Sequence, residues 1–217
     1  MRRLTAAVMV AGTMGATPAV AAASPEPPVP PVSDAARAAG LIDVRTVVPN
    51  AVIDLRYATP DNFVGEQLYP SDARCLVHES MAAGLAAAAD ALRPDVLVFW
   101  DCYRPHDVQV RMYEAVSEPG WVARPGRYAR SHEAGLSVDV TLARDGNLLD
   151  MGTGFDEFVP RANAYATEGI SAAARQNRAR LREAMELGGL SVYSGEWWHF
   201  DAPNAHVDRP ILDVPVN

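Results

Sequence analysis

The chain contains no lysine: all nineteen of its basic residues are arginine. We read a coding bias in that and no function. Twenty-seven acidic residues outweigh them, for a formal net charge of −8. That sign argues against a nucleic-acid partner, which calls for a basic surface. Long hydrophobic runs are missing as well. The apolar N-terminal stretch is broken by Gly12, Thr13, Gly15, Thr17 and Pro18. It is short for a membrane span, which needs about 20 apolar residues. Cysteine occurs only at 75 and 102, and neither has a metal-ligand spacing. No internal repeat is visible.

What is present describes one globular domain with a full core: 217 residues, 49% hydrophobic and 21% charged. Residues 1–23 read as a signal peptide. Arg2 and Arg3 precede an Ala/Val/Met run, and Ala19-Val20-Ala21 or Ala21-Ala22-Ala23 offers a small-residue cleavage site. A membrane anchor is the competing reading, which the broken run disfavours. No cysteine at the cleavage site would take a lipid. The expectation is export, to the periplasm or beyond, with no membrane anchor after cleavage. The mature chain then carries 17 basic and 27 acidic residues, a formal charge of −10. An oxidising compartment favours a Cys75–Cys102 disulfide over two buried thiols. Residues 24–33 hold five of the seventeen prolines and read as extended. The expected division is a linker over 24–40 and a catalytic domain over 41–217.

Ile42–Val48 and Val52–Tyr57 are β-branched and alternating, and predict two strands joined by a turn at Pro49-Asn50. The Ala-rich stretch from Val77 to Leu92 predicts a helix, and Val96–Trp100 a buried strand. A helix follows from Pro105 to about Val116. Leu136–Leu142 alternates with period two, which predicts a half-buried strand with Ser137, Asp139 and Thr141 on its polar face. Met151–Val159 reads as a loop. Ser171–Leu187 reads as a helix capped by Ser171 and stopped by Gly188-Gly189, with Ala174, Leu181, Met185 and Leu187 on an apolar side and its arginines solvated. Glu196–Asp201 reads as a last strand. Without a regular βαβ alternation, the order favours an α+β domain: a mostly antiparallel sheet flanked by helices, with a cleft on the sheet.

His132, Asp139 and His199 offer two imidazoles and a carboxylate. That set leaves a zinc ion an open fourth position, the catalytic rather than the structural arrangement. Glu196 is a spare carboxylate beside His199, suited to a general base. In a regular strand Glu196 and His199 point to opposite faces, so Glu196 must sit at the strand's start or in the turn at Gly195. Arg104 has two readings, an ion pair with Asp101 or Asp107 and a stabiliser of a developing oxyanion. Trp197 and Trp198 are large and apolar, and at least one of them reads as core.

Several segments occur here in one order: Tyr57-Ala58-Thr59-x-x-Asn62-Phe63, Asp101-Cys102-Tyr103-Arg104-Pro105, Ser131-His132-x-x-Gly135 running on to Asp139-x-Thr141-Leu142, Met151-Gly152-x-x-Phe155-Asp156, Gln176-Asn177-Arg178-x-x-Leu181-Arg182 and Glu196-Trp197-Trp198-His199. Over residues 42–215 the chain resembles the VanX-type D-alanyl-D-alanine dipeptidases. These are zinc metallopeptidases, related more distantly to D-Ala-D-Ala carboxypeptidases and to the hedgehog fold. The resemblance implies His132, Asp139 and His199 as ligands of one Zn2+ per chain and Glu196 as the base that deprotonates the attacking water. It implies Arg104 at the oxyanion, Asp156 as acceptor of the substrate's ammonium, Tyr57 at the same end, and Ser131 as a substrate contact. Glu133-Ala134 departs from the family on the cleft rim; the leader and the cysteine pair depart from its cytoplasmic members. The implied activity is hydrolysis of the small dipeptide D-Ala-D-Ala. The rivals are a zinc D,D-carboxypeptidase acting on peptidoglycan stem peptides and a zinc-binding module without catalysis.

Overall fold

A computed structural model describes residues 28–116 and 120–217. The leader expected over 1–23, and the first residues of the linker, lie outside the described residues. The described part is an α+β domain, a mixed sheet flanked by helices. Its elements are α1 (Asp34–Ala38), β1 (Leu41–Asp43), β2 (Val52–Ile53), β3 (Leu76–His78), α2 (Ala82–Leu92), β4 (Val96–Asp101), α3 (His106–Ala115), β5 (Ser137–Arg144), β6 (Asn147–Leu148), α4 (Ala172–Leu187), β7 (Ser191–Val192) and β8 (His199–Asp201). The main sheet runs β2-β4-β5-β8-β7, with β6 on β5. Only β2 and β4 pair in parallel; the other ladders are antiparallel. Within the stretch expected as linker, α1 is capped by the Ser33 hydroxyl and buries Ala36. Among the described residues no helix is long and apolar enough to cross a membrane.

Two local expectations are corrected. The segments 42–48 and 52–57 do not form a hairpin. β1 pairs with β3 in a separate two-stranded sheet, whereas β2 joins β4. After β1 the chain turns, because the buried Asp43 carboxylate accepts the Arg45 amide at 2.9 Å and binds the guanidinium groups of Arg45 and Arg74. The helix expected from Val77 begins only at Ala82. Val77 faces Ile42 across a ladder, and His78 Nδ1 accepts the Ser80 amide to start a 3-10 turn. Cross-strand pairing and a side-chain cap here outweigh alanine-rich helix propensity.

Helices α2 and α4 touch where Gly84 meets Gly188, backbone to backbone. A Cβ on Gly84 would lie 2.2 Å from the Gly188 carbonyl oxygen. Gly84→Ala must therefore push the helices apart, and a loss of about 1–3 kcal/mol of stability is expected, as for other overpacked cores. Urea unfolding measures it, and wild-type stability would remove this contact from the account.

Cys75 and Cys102 form a disulfide, with Cα atoms 5.2 Å apart. It joins the entrance of β3 to the exit of β4. A closed loop of this size contributes about 3 kcal/mol. Mass spectrometry without reductant should find the chain two hydrogens lighter than the dithiol; a full dithiol mass would exclude the bridge.

Candidate metal centre

The site starts from register. Across the antiparallel ladders Asp101 of β4 faces Asp139 of β5, and Asp139 faces His199 of β8. Directly opposite residues share a face of the sheet, so the three side chains stand in one row. An irregularity between Phe99 and Asp101 sets this register at the end of β4, the kind of bulge that re-aims side chains beside active sites. β5 was expected to be half-buried. It is buried on both faces from Ser137 to Ala143, because its polar face lines the site instead of open solvent.

His132 arrives from a 3-10 turn, Ser131–Ala134, which Gly135 ends at φ +66°. A Cβ there would lie 2.6 Å from Leu41 Cδ2, so the Ser-His-x-x-Gly spacing needs glycine for conformation and for space. Ser131 has φ +50°, an unfavourable backbone for serine. Its amide donates to the Ala205 carbonyl and its carbonyl accepts from Leu136, which hold that conformation.

Three donor atoms converge. His132 Nε2 lies 3.1 Å from His199 Nδ1 and 3.3 Å from Asp139 Oδ1, and His199 Nδ1 lies 3.1 Å from the same oxygen. Tetrahedral zinc with bonds near 2.0–2.1 Å separates neighbouring ligands by about 3.3 Å. The triangle thus fits such an ion with little movement. The outer nitrogens set the tautomers. His132 Nδ1 faces the Cys102 carbonyl at 2.8 Å, and His199 Nε2 faces Asp201 Oδ1 at 2.9 Å. Both partners only accept, so each outer nitrogen carries a hydrogen, which leaves each inner nitrogen free to turn a lone pair to a cation bound at the centre. Burial opposes charge on the His199 imidazole, but Asp139 and Asp201 on either side raise its pKa well above the usual value. Burial likewise works against the Asp139 carboxylate, which the two imidazoles nevertheless hold well below the usual range. The same surroundings favour a metal cation at their centre.

The predicted Glu196–Asp201 strand is shorter than expected. Glu196 sits in the turn before β8, its amide bonded to the Tyr193 carbonyl. That placement resolves the facing problem and puts Oε2 3.9 Å from His199 Nδ1. Burial raises the Glu196 carboxyl above its ordinary value, with the His199 charge opposing. Trp197 and Trp198 are both core.

Arg104 makes its ion pair with Asp101, through Nε at 2.9 Å and Nη2 at 2.6 Å. It does not pair with Asp107. Gln109 accepts from Nη1, and Nη2 is 3.9 Å from Asp139 Oδ2. Burial alone would depress Arg104, but Asp101 and the groups around it raise it, so it stays a cation. Asp156 Oδ2 accepts the Tyr57 hydroxyl at 2.7 Å, and Asp156 itself has φ +51°. Burial pushes its carboxyl well up, the Tyr57 bond opposes, and the charges of Asp139 and Glu196 add to the rise. Ser131 Oγ lies 2.8 Å from Ser137 Oγ, on the Asp201 side of His199. All the predicted site residues except the cysteines line one cavity of about 810 Å³.

Asp201 was not singled out from the sequence. The signal was there: His199-x-Asp201 on one strand puts both side chains on one face. Arg178 was expected to be solvated with its neighbours on α4 and is buried. Leu187, expected on the apolar side, is exposed.

A family model described as D-ala-D-ala dipeptidase matches residues 37–217. The chain is 37% identical over 175 residues to the D-alanyl-D-alanine dipeptidase of Escherichia coli (strain K12), covering 79% of this chain and 89% of that protein. It is 32% identical over 189 residues to the D-alanyl-D-alanine dipeptidase of Enterococcus faecium, covering 73% and 91%. A third relative of the same name, from Streptomyces coelicolor, is 29% identical over 185 residues, covering 73% and 91%.

Proposed function

The chain belongs to the D-Ala-D-Ala dipeptidase family, a family of metallopeptidases, and on that premise we propose that it is an exported, zinc-dependent enzyme that hydrolyses D-Ala-D-Ala to two molecules of D-alanine. The observation that carries this reading is the meeting, in one cavity, of a His/Asp/His triangle, a carboxylate beside it and a second buried carboxylate, Asp156, bonded to the Tyr57 hydroxyl. His132, Asp139 and His199 would hold one zinc per chain, preferred for its match to two nitrogens and one oxygen. Zinc bound there would supply Lewis acidity, polarising the scissile carbonyl and lowering the pKa of water toward roughly 7.

The chain's own residues supply the rest. Glu196 takes the proton of the attacking water and returns it to the leaving amine nitrogen. Arg104, fixed by Asp101 and Gln109, balances the charge that develops on the carbonyl oxygen. Asp156 receives the substrate's ammonium and Tyr57 holds its carboxylate in place. Ser131 contacts substrate on the His199 side. Dipeptide length follows from Asp156: an acylated amine would leave that buried carboxylate without its cation, a costly state. The leader sequence and the disulfide support export.

The test is D-alanine release from free D-Ala-D-Ala and from its N-acetyl form, with zinc and with a chelator. Cleavage of the free dipeptide alone, lost on chelation, is expected. Cleavage of the acetylated form would replace this reading with the carboxypeptidase, and turnover of neither by zinc-loaded protein would refute both.

A further inference from the structure

From the placement of one buried cation, we infer that Arg178 is the positioning residue that sets Asp156 against Glu196, and so governs recognition of the substrate's amino end. The inference rests on the dipeptidase reading above.

Asp156 sits in a segment, 151–163, whose only regular structure is one 3-10 turn at Pro160–Ala162. Its own backbone, at φ +51°, is one that a non-glycine residue holds only when its surroundings impose it. Arg178, reaching out of α4, does the imposing. Its Nε donates to the Met151 carbonyl at 2.6 Å, before Asp156. Its Nη1 donates to the Arg161 and Asn163 carbonyls at 2.9 and 3.1 Å, after Asp156. One planar group thus ties both flanks of the loop to a helix.

The same group reaches the catalytic carboxylate. The Arg178 guanidinium lies over the Trp197 ring, 5.3 Å from its centroid. Trp197 is the neighbour of Glu196 in the chain. Its indole N–H donates to Thr153 Oγ1 at 2.7 Å, and that oxygen also accepts from Arg178 Nη2 at 3.4 Å. The Trp197 amide donates to the Ala162 carbonyl. The Asp156 loop is therefore docked on the residue next to the base, while the base keeps its own turn to the Tyr193 carbonyl before β8.

Arg178 is bound by carbonyls and a hydroxyl, not by a carboxylate. Burial draws it down to about 10, with the Asp150 charge opposing, so it remains protonated at neutral pH. A buried cation of this kind is costly for stability alone. Lysine is a poor replacement, because a single ammonium does not reproduce a planar fork spanning both flanks.

The test compares zinc-loaded wild type with Arg178→Met, Arg178→Lys and Thr153→Val, the last chosen to leave α4 and the buried cation in place. A shift of Asp156 should raise KM for free D-Ala-D-Ala about tenfold in Arg178→Met, with partial rescue in Arg178→Lys and a smaller rise in Thr153→Val. The turnover of the folded fraction should stay within about threefold, and zinc content should stay at one per chain. Calorimetry in a Glu196→Gln background should show weaker binding of the free dipeptide to match. If the arginine variants do not fold, Thr153→Val decides. A merely structural arginine would lower the active fraction and leave KM and affinity at wild-type values, which would overturn the inference while the dipeptidase stands. A wild type that fails to cleave the free dipeptide overturns the reading and the inference with it.

Discussion

Glu196→Ala should leave zinc bound and remove nearly all turnover. Loss of a positioned general base lowers the rate by about 10²–10⁴. Three features point to this residue over the other acids of the cavity. Asp139 and Asp201 are committed to imidazoles, Asp156 to the Tyr57 hydroxyl, Glu133 to His106 and Asp208 to Arg130. Glu196 stands beside the triangle on its inner side without belonging to it, its Oε2 3.9 Å from His199 Nδ1. Burial raises its carboxyl, and a base whose pKa lies nearer the working pH transfers protons in both directions. The loss should fall on kcat, with zinc content by metal analysis unchanged. Wild-type turnover in Glu196→Ala would end the assignment.

His199→Ala should lose the metal itself. The imidazole is one of three donors and also separates Asp139 from Asp201. Its removal takes away a ligand and leaves two buried carboxylates without the group between them. Bound zinc after dialysis should fall well below one per chain, and activity should fall with it. Asp201→Asn is the graded companion. An amide at 201 need not hold the hydrogen on Nε2, so the lone pair on Nδ1 is no longer guaranteed. Zinc affinity should drop about 10–100-fold, as for other partners that orient a ligand. Zinc retained at wild-type affinity in His199→Ala would remove that residue from the ligand set.

Much of this site was legible along the chain because its chemistry is local in sequence. Ser131 to Asp139 carries two of the three donors, and Glu196 to His199 carries the third with the carboxylate beside it. The period-two pattern of β5 put Asp139 on the correct face, and the odd spacing of Glu196 and His199 required the turn that is found. The errors came from reading segments without their partners. The alternation in 42–57 was real, but its strands pair elsewhere, and which strand a segment pairs with is decided by non-local contacts. Arg178 looked like one more solvated arginine on α4. Nothing in its neighbours says that a helical position faces a ring of carbonyls contributed by a distant loop.

Donor types, the α+β class and the two short segments that carry the converging donors could be read along the chain, because residue chemistry and periodicity are properties of adjacent residues. The rest came from pairing and packing. The ladders between β4, β5 and β8 bring the imidazoles within 3.1 Å, the outer partners Cys102 and Asp201 choose their tautomers, and Arg178 ties both flanks of the Asp156 loop to α4 and lies over Trp197. Each of these joins groups far apart in the chain, and only packing and pairing across the fold bring them together.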